Sequence, residues 1–227
     1  KENRNEIMLV ISAMGKTTNA IEKALANFRA NNGHLEITAL SEIIEYHENI
    51  MTDLFEGNTS HPIFETMTNL FLDLYLNLQE TGFDYDYQYD NTVSFGEMLS
   101  TTLISAYLNE CGIRNELIDA RDYIVTDHGF RSANPEWDDC RLRIEKLKSN
   151  ESVMYITQGF IASSVSPKTT TTLGREGSDF SAAIFANCLD AEELTIWKDV
   201  DGLRNADPKR FADTKKISHL SYFEAIE

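Results

Sequence analysis

The chain has 227 residues, of which 42% are hydrophobic, and a formal net charge of −17 at pH 7. This length and composition can bury a substantial core, and we expect residues 1–227 to form a single domain. The excess of acid argues against a nucleic-acid partner and against an anionic membrane surface, because both bind clustered Lys and Arg.

The number and spacing of the cysteines and histidines narrow the class of protein further. Cys111, Cys140 and Cys188 are widely spaced and match no CxxC metal pattern. Their odd number, with no signal-like start, predicts reduced thiols in a cytoplasmic protein. The five histidines show no ligand spacing, and no apolar run approaches the roughly 18 residues of a membrane span. We therefore predict neither a protein-held metal site nor a membrane partner.

The first half of the chain reads as one strand followed by helices. The apolar run 7–11 is typical of a central strand covered by helices on both faces. Apolar residues at helical spacing then predict helices over 17–29, 40–54 and 62–79. Residues 82–90 interleave aromatic and acidic side chains, and their negative charge favours a surface loop or lid over a base-stacking surface.

The second half alternates helices with strands. Helices are predicted over 91–110, 134–148 and after residue 178, and strands over 116–120, 152–157 and 193–197. This alternation predicts an α/β fold: a three-layer α-β-α sandwich with a mainly parallel central sheet.

The segment 169–179, TTTTLGREGSD, is the most informative part of the chain. Hydroxyl groups, two glycines and a helix start are features that suit an anion such as phosphate or carboxylate. Arg175 could grip a carboxylate bidentately, and Asp179 could bind Mg²⁺ or orient a nucleophile. The alternative is an ordinary turn with Ser178 or Asp179 as N-cap, since neither the Walker pattern nor the dinucleotide fingerprint is present.

Four motifs together resemble the aspartate kinase family and occur in that family's order. They are VISAMGKTTN at 10–19, SFGEMLST at 94–101, YITQGFI at 155–161 and WKDVDGL at 197–203, the last followed by Asp207-Pro208. The resemblance covers almost the whole chain. It implies the amino-acid kinase fold and transfer of the γ-phosphate of ATP to the side-chain carboxylate of L-aspartate, the first step of lysine, threonine and methionine biosynthesis.

The resemblance also implies the substrate-binding residues. Glu97 would bind the ammonium group of aspartate, and Arg175 and Ser178 would hold its carboxylates. Asp179 would be catalytic, orienting and polarising the reacting groups. The remaining predicted substrate-binding positions are Ser12, Thr18, Glu176 and Gly177. Without its motif, Glu97 would read as a solvated helix acid.

The nucleotide side of the resemblance maps onto the last predicted strand and the residues after it. Lys198, Asp199, Arg204 and Lys209 would bind ATP, with Mg²⁺ as the second cofactor. Arg204 replaces an aromatic residue common in the family, and Lys209 replaces an arginine. A lysine can still meet a phosphate, although as a point charge without a planar fork.

One family motif is missing, and this leaves alternatives open. The Lys-Phe-Gly-Gly-Thr-Ser segment that handles the transferring phosphate does not occur, nor does the C-terminal Gly-Ala-x-Val-x-His-Pro segment. We therefore expect a fragment of a longer homo-oligomeric protein, with little kinase activity of its own. The alternatives are a catalytically incomplete ligand-binding module, or a superfamily member that acts on glutamate, acetylglutamate or a nucleotide.

Overall fold

Two compact units make up the structure, a computed structural model that describes residues 7–31, 37–149, 154–221 and 223–224. The first unit is Lys1–Glu193 and the second is Leu194–Glu227. Within the described ranges, no helix is long and apolar enough to span a bilayer.

The first unit contains all the regular elements named here. In chain order they are β1 (Met8–Ile11), α1 (Thr17–Ala30), α2 (Ile37–Leu54), α3 (Pro62–Leu78), α4 (Tyr85–Val93), α5 (Phe95–Glu110), β2 (Asn115–Ile118), α6 (Ala120–Tyr123), β3 (Val125–Thr126), α7 (Trp137–Ile144), β4 (Met154–Gln158), β5 (Ile161–Ser164), β6 (Thr170–Thr172) and α8 (Gly177–Leu189). A 3₁₀ turn, Glu145–Ser149, continues α7.

The main sheet is parallel and has the order β1-β4-β2. Met8 lies opposite Tyr155, and Asn115 lies opposite Met154. The three strands confirm those predicted over 7–11, 116–120 and 152–157, although residues 152 and 153 lie outside the described residues. Because the strands are parallel, the carboxyl ends of β1 and β4 share one edge of the sheet.

Helices cover both faces of this sheet. Helix α5 packs against all three strands, and α8 packs against β1. Met8 and Val10 alternate with Leu9 along β1 and join the cluster that contains Ile184 and Phe185 of α8. The predicted three-layer sandwich with a mainly parallel sheet is confirmed.

A separate helical core lies under α1 to α5. It buries Ile21 and Leu25 of α1, Met67 and Leu74 of α3, and Leu99 of α5. The predicted helices 17–29, 40–54 and 62–79 are confirmed. Their apolar positions recur every three or four residues, which places them on one face.

The threonine run does not form an exposed hydroxyl loop. Thr170–Thr172 form β6, a buried strand antiparallel to β5 in a second sheet of order β3-β5-β6. The Thr171 hydroxyl lies 2.7 Å from that of Thr126, and the Thr172 hydroxyl donates to Asp90. These hydroxyls are used inside the core, so the expectation that they face an anion is wrong for this run.

The predicted loop 82–90 is mostly a helix. Residues from Tyr85 onward form α4, which Asp84 caps by accepting a hydrogen bond from the Asp86 N–H at 2.9 Å. The acids and aromatics suit a helix here because Tyr85 and Tyr89, one turn apart, both face the Arg131 guanidinium. A break at Ser94 separates α4 from α5, so the predicted helix 91–110 is two helices.

Two other predicted boundaries change. The helix predicted over 134–148 begins only at Trp137, because Pro135 pairs with Thr126 as an isolated bridge. The strand predicted over 193–197 is wrong: these residues are irregular and exposed, and no described strand pairs with them. Trp197 is 90% exposed, so the apolar pattern there has no core to cover it.

Candidate active site

The site begins where β1 and β4 end. The N–H of Gly159, just after β4, donates to the carbonyl of Ile11 at 2.9 Å. The residues that follow the two strands therefore run side by side. Ligand sites in open parallel sheets form at this carboxyl edge, where loops diverge to leave a crevice.

The start of α8 packs directly on the end of β4. A methyl group added at Gly159 would lie 2.5 Å from Cβ of Ser178, and one added at Gly177 would lie 2.5 Å from Cδ2 of Phe160. The N–H of Phe160 also donates to Oγ of Ser181 at 2.9 Å. Two glycines thus let α8 bring its N-terminal N–H groups, including that of Ser178, to the strand ends.

Glu97 lies in the first turn of α5 at the same edge, only 3% exposed. Its Oε1 accepts the Ala13 N–H at 3.3 Å, and its Oε2 is buried without a hydrogen-bond partner among the described residues. Burial raises the pKa of Glu97 to about 8, although the N–H groups of Ala13 and of Glu97 itself act in the opposite direction. No cation among the described residues stabilises the charge of this carboxyl group.

The loop after β1 is fixed against α5. Oγ of Ser100 donates to the carbonyl of Ser12 at 2.8 Å. A methyl group at Gly96 would lie 3.0 Å from Oγ1 of Thr18, so the start of α1 packs closely on α5. The structure therefore brings Ser12, Thr18 and Glu97 together, with Ser12 exposed and Thr18 half-buried.

The turn before α8 presents a free cation. Gly174 has φ +77° and Glu176 has φ +53°, and exposed Arg175 lies between them. Arg175 makes no hydrogen bond or ion pair with any described residue. Glu176 is the N-cap residue, without a side-chain cap bond, so the alternative that Ser178 or Asp179 is the N-cap is wrong. Both lie within the first turn, where an acid complements the helix dipole.

Gln158 is a site residue that sequence reasoning missed. Its Oε1 accepts the Ala120 N–H at 2.9 Å, and its Nε2 donates to Oγ1 of Thr101 at 3.0 Å. Thr101 in turn donates to the carbonyl of Glu97 at 2.8 Å. Gln158 thus ties the end of β4 to the turn that carries Glu97. Its place in the YITQGFI motif, a polar residue ending an apolar strand, was the available signal.

The predicted nucleotide residues all lie in the second unit. Lys198, Asp199 and Lys209 are exposed there. The Arg204 guanidinium donates to Oδ2 of Asp201 at 2.8 Å and to the carbonyl of Thr214 at 3.1 Å. Arg204 therefore already holds together the turn on which it lies.

No part of the described chain offers a ready metal cage. Among the described residues, no three His, Cys, Asp or Glu side chains converge closely enough to hold an ion. The acid at the N-terminal turn of α8 is Asp179, which is half-buried.

Comparison with known proteins identifies relatives along the whole chain. The model of the amino acid kinase family matches residues 1–227. The chloroplastic bifunctional aspartokinase/homoserine dehydrogenase 2 of Arabidopsis thaliana is 31% identical over 231 residues, which cover 100% of this chain and 25% of that protein. The aspartokinase of Chlamydia muridarum is 38% identical over 135 residues, covering 60% of this chain and 31% of that protein.

Solved structures share the fold. E. coli aspartokinase III in complex with aspartate and ADP (R-state) superposes with a TM-score of 0.79 at 27% identity, covering 95% of this chain and 49% of that one. The same enzyme in complex with lysine and aspartate (T-state) gives 0.77 at 28% identity, covering 92% and 46%. The chain spans about a quarter of the plant relative's length and about half of the solved chains.

Proposed function

We propose that residues 1–227 of this chain, which belongs to the amino acid kinase family, are part of a single aspartate kinase catalytic domain. The reaction is transfer of the γ-phosphoryl group of ATP to the side-chain carboxylate of L-aspartate, giving 4-phospho-L-aspartate. The names of the relatives and the solved complex with aspartate and ADP support this assignment.

The unpartnered buried oxygen of Glu97 is the observation that carries the proposal. An amino-acid substrate brings one ammonium group and, in aspartate, two carboxylates. The ammonium group would give Oε2 of Glu97 the partner it lacks and stabilise its ionised form. Arg175, with no protein partner among the described residues, would then hold a carboxylate through paired N–H donors.

The start of α8 would supply the electrostatics of the transfer. Phosphoryl transfer needs in-line placement of donor and acceptor and neutralisation of the migrating charge, with little covalent help from the protein. The N–H of Ser178, in the first turn of α8, would bind an anion beside Gly159, while the N–H of Gly177 already donates to the carbonyl of Gly174 at 3.1 Å. Asp179, in the same turn, would orient the reacting groups.

Mg²⁺ would enter with the nucleotide. It neutralises phosphate charge, and a nucleotide-bound Mg²⁺ takes only one or two protein carboxylates. The single half-buried carboxylate of Asp179 fits that requirement. For the nucleotide itself we propose Lys198, Asp199 and Lys209 as contacts, with Arg204 supporting their segment through Asp201 and Thr214.

A substrate survey tests the proposal. Phosphoryl transfer by the intact parent protein would be followed as hydroxamate formation with L-aspartate, L-glutamate and N-acetyl-L-glutamate, each with MgATP. We expect L-aspartate to be preferred, and Glu97→Gln to weaken its use while leaving the KM for ATP unchanged. Preference for either glutamate compound would contradict the assignment and favour another branch of the family.

A further inference from the structure

Asp90 of α4 is a fully buried carboxylate outside the site described above. Its Oδ2 accepts the backbone N–H of Thr172 and that of Arg131, each at 2.9 Å. Its Oδ1 accepts the Thr172 hydroxyl at 2.7 Å. One side chain therefore binds the end of β6 and the loop between β3 and α7, which are distant from it in sequence.

These two partners of Asp90 lie against the turn that carries Arg175. The N–H of Ala133 donates to the carbonyl of Thr172 at 2.9 Å. A methyl group at Gly174 would lie 3.1 Å from Oγ of Ser132 and 3.2 Å from the carbonyl of Arg131. Residues 131–133 thus pack both on the last residue of β6 and on Gly174, the residue before Arg175.

The Arg131 side chain fixes the same loop from its other side. Its guanidinium lies 4.2 Å from the ring centroid of Tyr89 and 3.5 Å from Oδ1 of Asp86. Both contacts are on α4, but they hold the side chain only. The backbone N–H groups are held by Asp90: that of Thr172 lies on β6, at the edge of its sheet, and that of Arg131 lies in a loop.

We propose that Asp90 is a positioning residue for the substrate carboxylate: by holding Thr172 and Arg131 it sets the Gly174 turn and hence the place of Arg175. The inference rests on the proposed function, in which Arg175 binds a carboxylate of the amino-acid substrate. Asp90 itself is buried and touches no substrate.

The test compares Asp90→Asn with Asp86→Asn, a matched control on the same helix. Asparagine keeps the shape of Asp90 but has one acceptor oxygen and brings an NH₂ group against N–H donors. We expect the KM for aspartate to rise about tenfold, with kcat and the KM for ATP within about threefold of wild type. Asp86→Asn, which loses only an exposed contact to the Arg131 side chain, should leave all three constants unchanged.

Amide hydrogen exchange distinguishes a local loss of positioning around Asp90 from a general loosening of the fold. In Asp90→Asn the amides of Arg131 and Thr172 should exchange faster, while those of α1 and α3 should keep wild-type protection. If Asp90→Asn does not fold, Thr172→Val removes one donor to the same carboxylate and should raise the KM for aspartate about threefold.

The outcomes are distinct. A wild-type parent protein that turns over MgATP but does not use aspartate contradicts the proposed function and this inference with it. An unchanged KM for aspartate despite faster exchange at Thr172 contradicts the positioning role alone. An equal loss across kcat and both KM values also contradicts it, because that is the result of a merely structural residue.

Discussion

At the scale of one residue, the buried carboxyl group of Glu97 makes the stability of the fold depend on pH. Its carboxyl is buried with one oxygen unpartnered, and its pKa is about 8 against an ordinary value of 4.5. A raised folded-state pKa means that this group favours the folded state fully below pH 4.5. That contribution is lost as the pH rises through 8, when the folded chain must bury a charge.

Glu97→Gln should therefore stabilise the folded state at alkaline pH. Glutamine stays neutral, so the melting temperature of the variant should be close to that of wild type near pH 5 and exceed it by about 10 °C or more at pH 9. Thermal unfolding of both proteins from pH 5 to 9 measures this, with exposed Glu42→Gln as the control. A constant difference across that range would show that Glu97 is ionised throughout.

Arg175 is exposed, unpaired with the described residues, and so is expected to act through its ligand rather than through the fold. Arg175→Lys keeps the charge but loses the paired donors, which is a loss of about 1.5–3 kcal/mol. We expect the KM for aspartate to rise at least about tenfold, with the KM for ATP and the melting temperature unchanged. A rise confined to the KM for ATP would place Arg175 on the nucleotide side, and Arg114→Lys serves as the exposed control.

At the scale of elements, the contact between the end of β4 and the start of α8 leaves no room for a side chain. Gly159→Ala would place a methyl group 2.5 Å from Cβ and 2.7 Å from Cα of Ser178, both part of a helix start. We expect a loss of stability of about 1–3 kcal/mol together with a raised KM for aspartate, because Ser178 must move.

The matched control for Gly159→Ala is Gly57→Ala. Gly57 has φ +73° and no atom within 4 Å of an added methyl group. Its substitution should cost about 1 kcal/mol through backbone strain alone and leave the KM for aspartate unchanged. Chemical unfolding and steady-state kinetics on both variants make the comparison. A normal KM in Gly159→Ala would show that the start of α8 does not set the site.

Helices and strands with a strong apolar repeat were predictable from the sequence. Elements that are fixed by contacts with residues distant in the chain were not. The strand 7–11 and the three following helices carry their own apolar patterns, so local sequence specified them. Helix α4 has no such pattern. Its buried Asp90 is satisfied by residues 41 and 82 positions away, and nothing nearby distinguishes it from exposed Asp84 and Asp86.

The residues of the candidate site also differ in whether the local sequence or distant contacts determine their role. Glu97, Arg175 and Ser178 were identified from motif resemblance, and the geometry of the first unit brings Ser12, Thr18 and Glu97 together. The threonine run was wrongly predicted to face an anion, because a strand and a hydroxyl-rich loop can have the same composition. Only burial in the folded structure distinguishes the two. Gln158 was missed because a lone amide gains a role only through its partners on α5 and α6.

For the whole molecule, the net charge of −17 opposes the approach of an anionic nucleotide. This repulsion is screened as salt rises from about 0.02 M to about 0.2 M. We expect kcat/KM for MgATP to rise about two- to fivefold over that range, whether KCl or choline chloride is used. A fall would mean that local cations such as Lys209 dominate the electrostatic field that the nucleotide meets.

The position of β4 in the main sheet governs when that sheet can exist during synthesis. β4 lies between β1 and β2, although it follows both in the chain, and among the described strands β1 pairs with β4 alone. On the ribosome, Met8 must wait for Tyr155 to emerge, whereas the helical core from α1 to α5 can pack much earlier. Until β4 has been synthesised, both edges of the apolar strand β1 have unpaired backbone N–H and C=O groups. We therefore expect chaperones to bind β1 during synthesis.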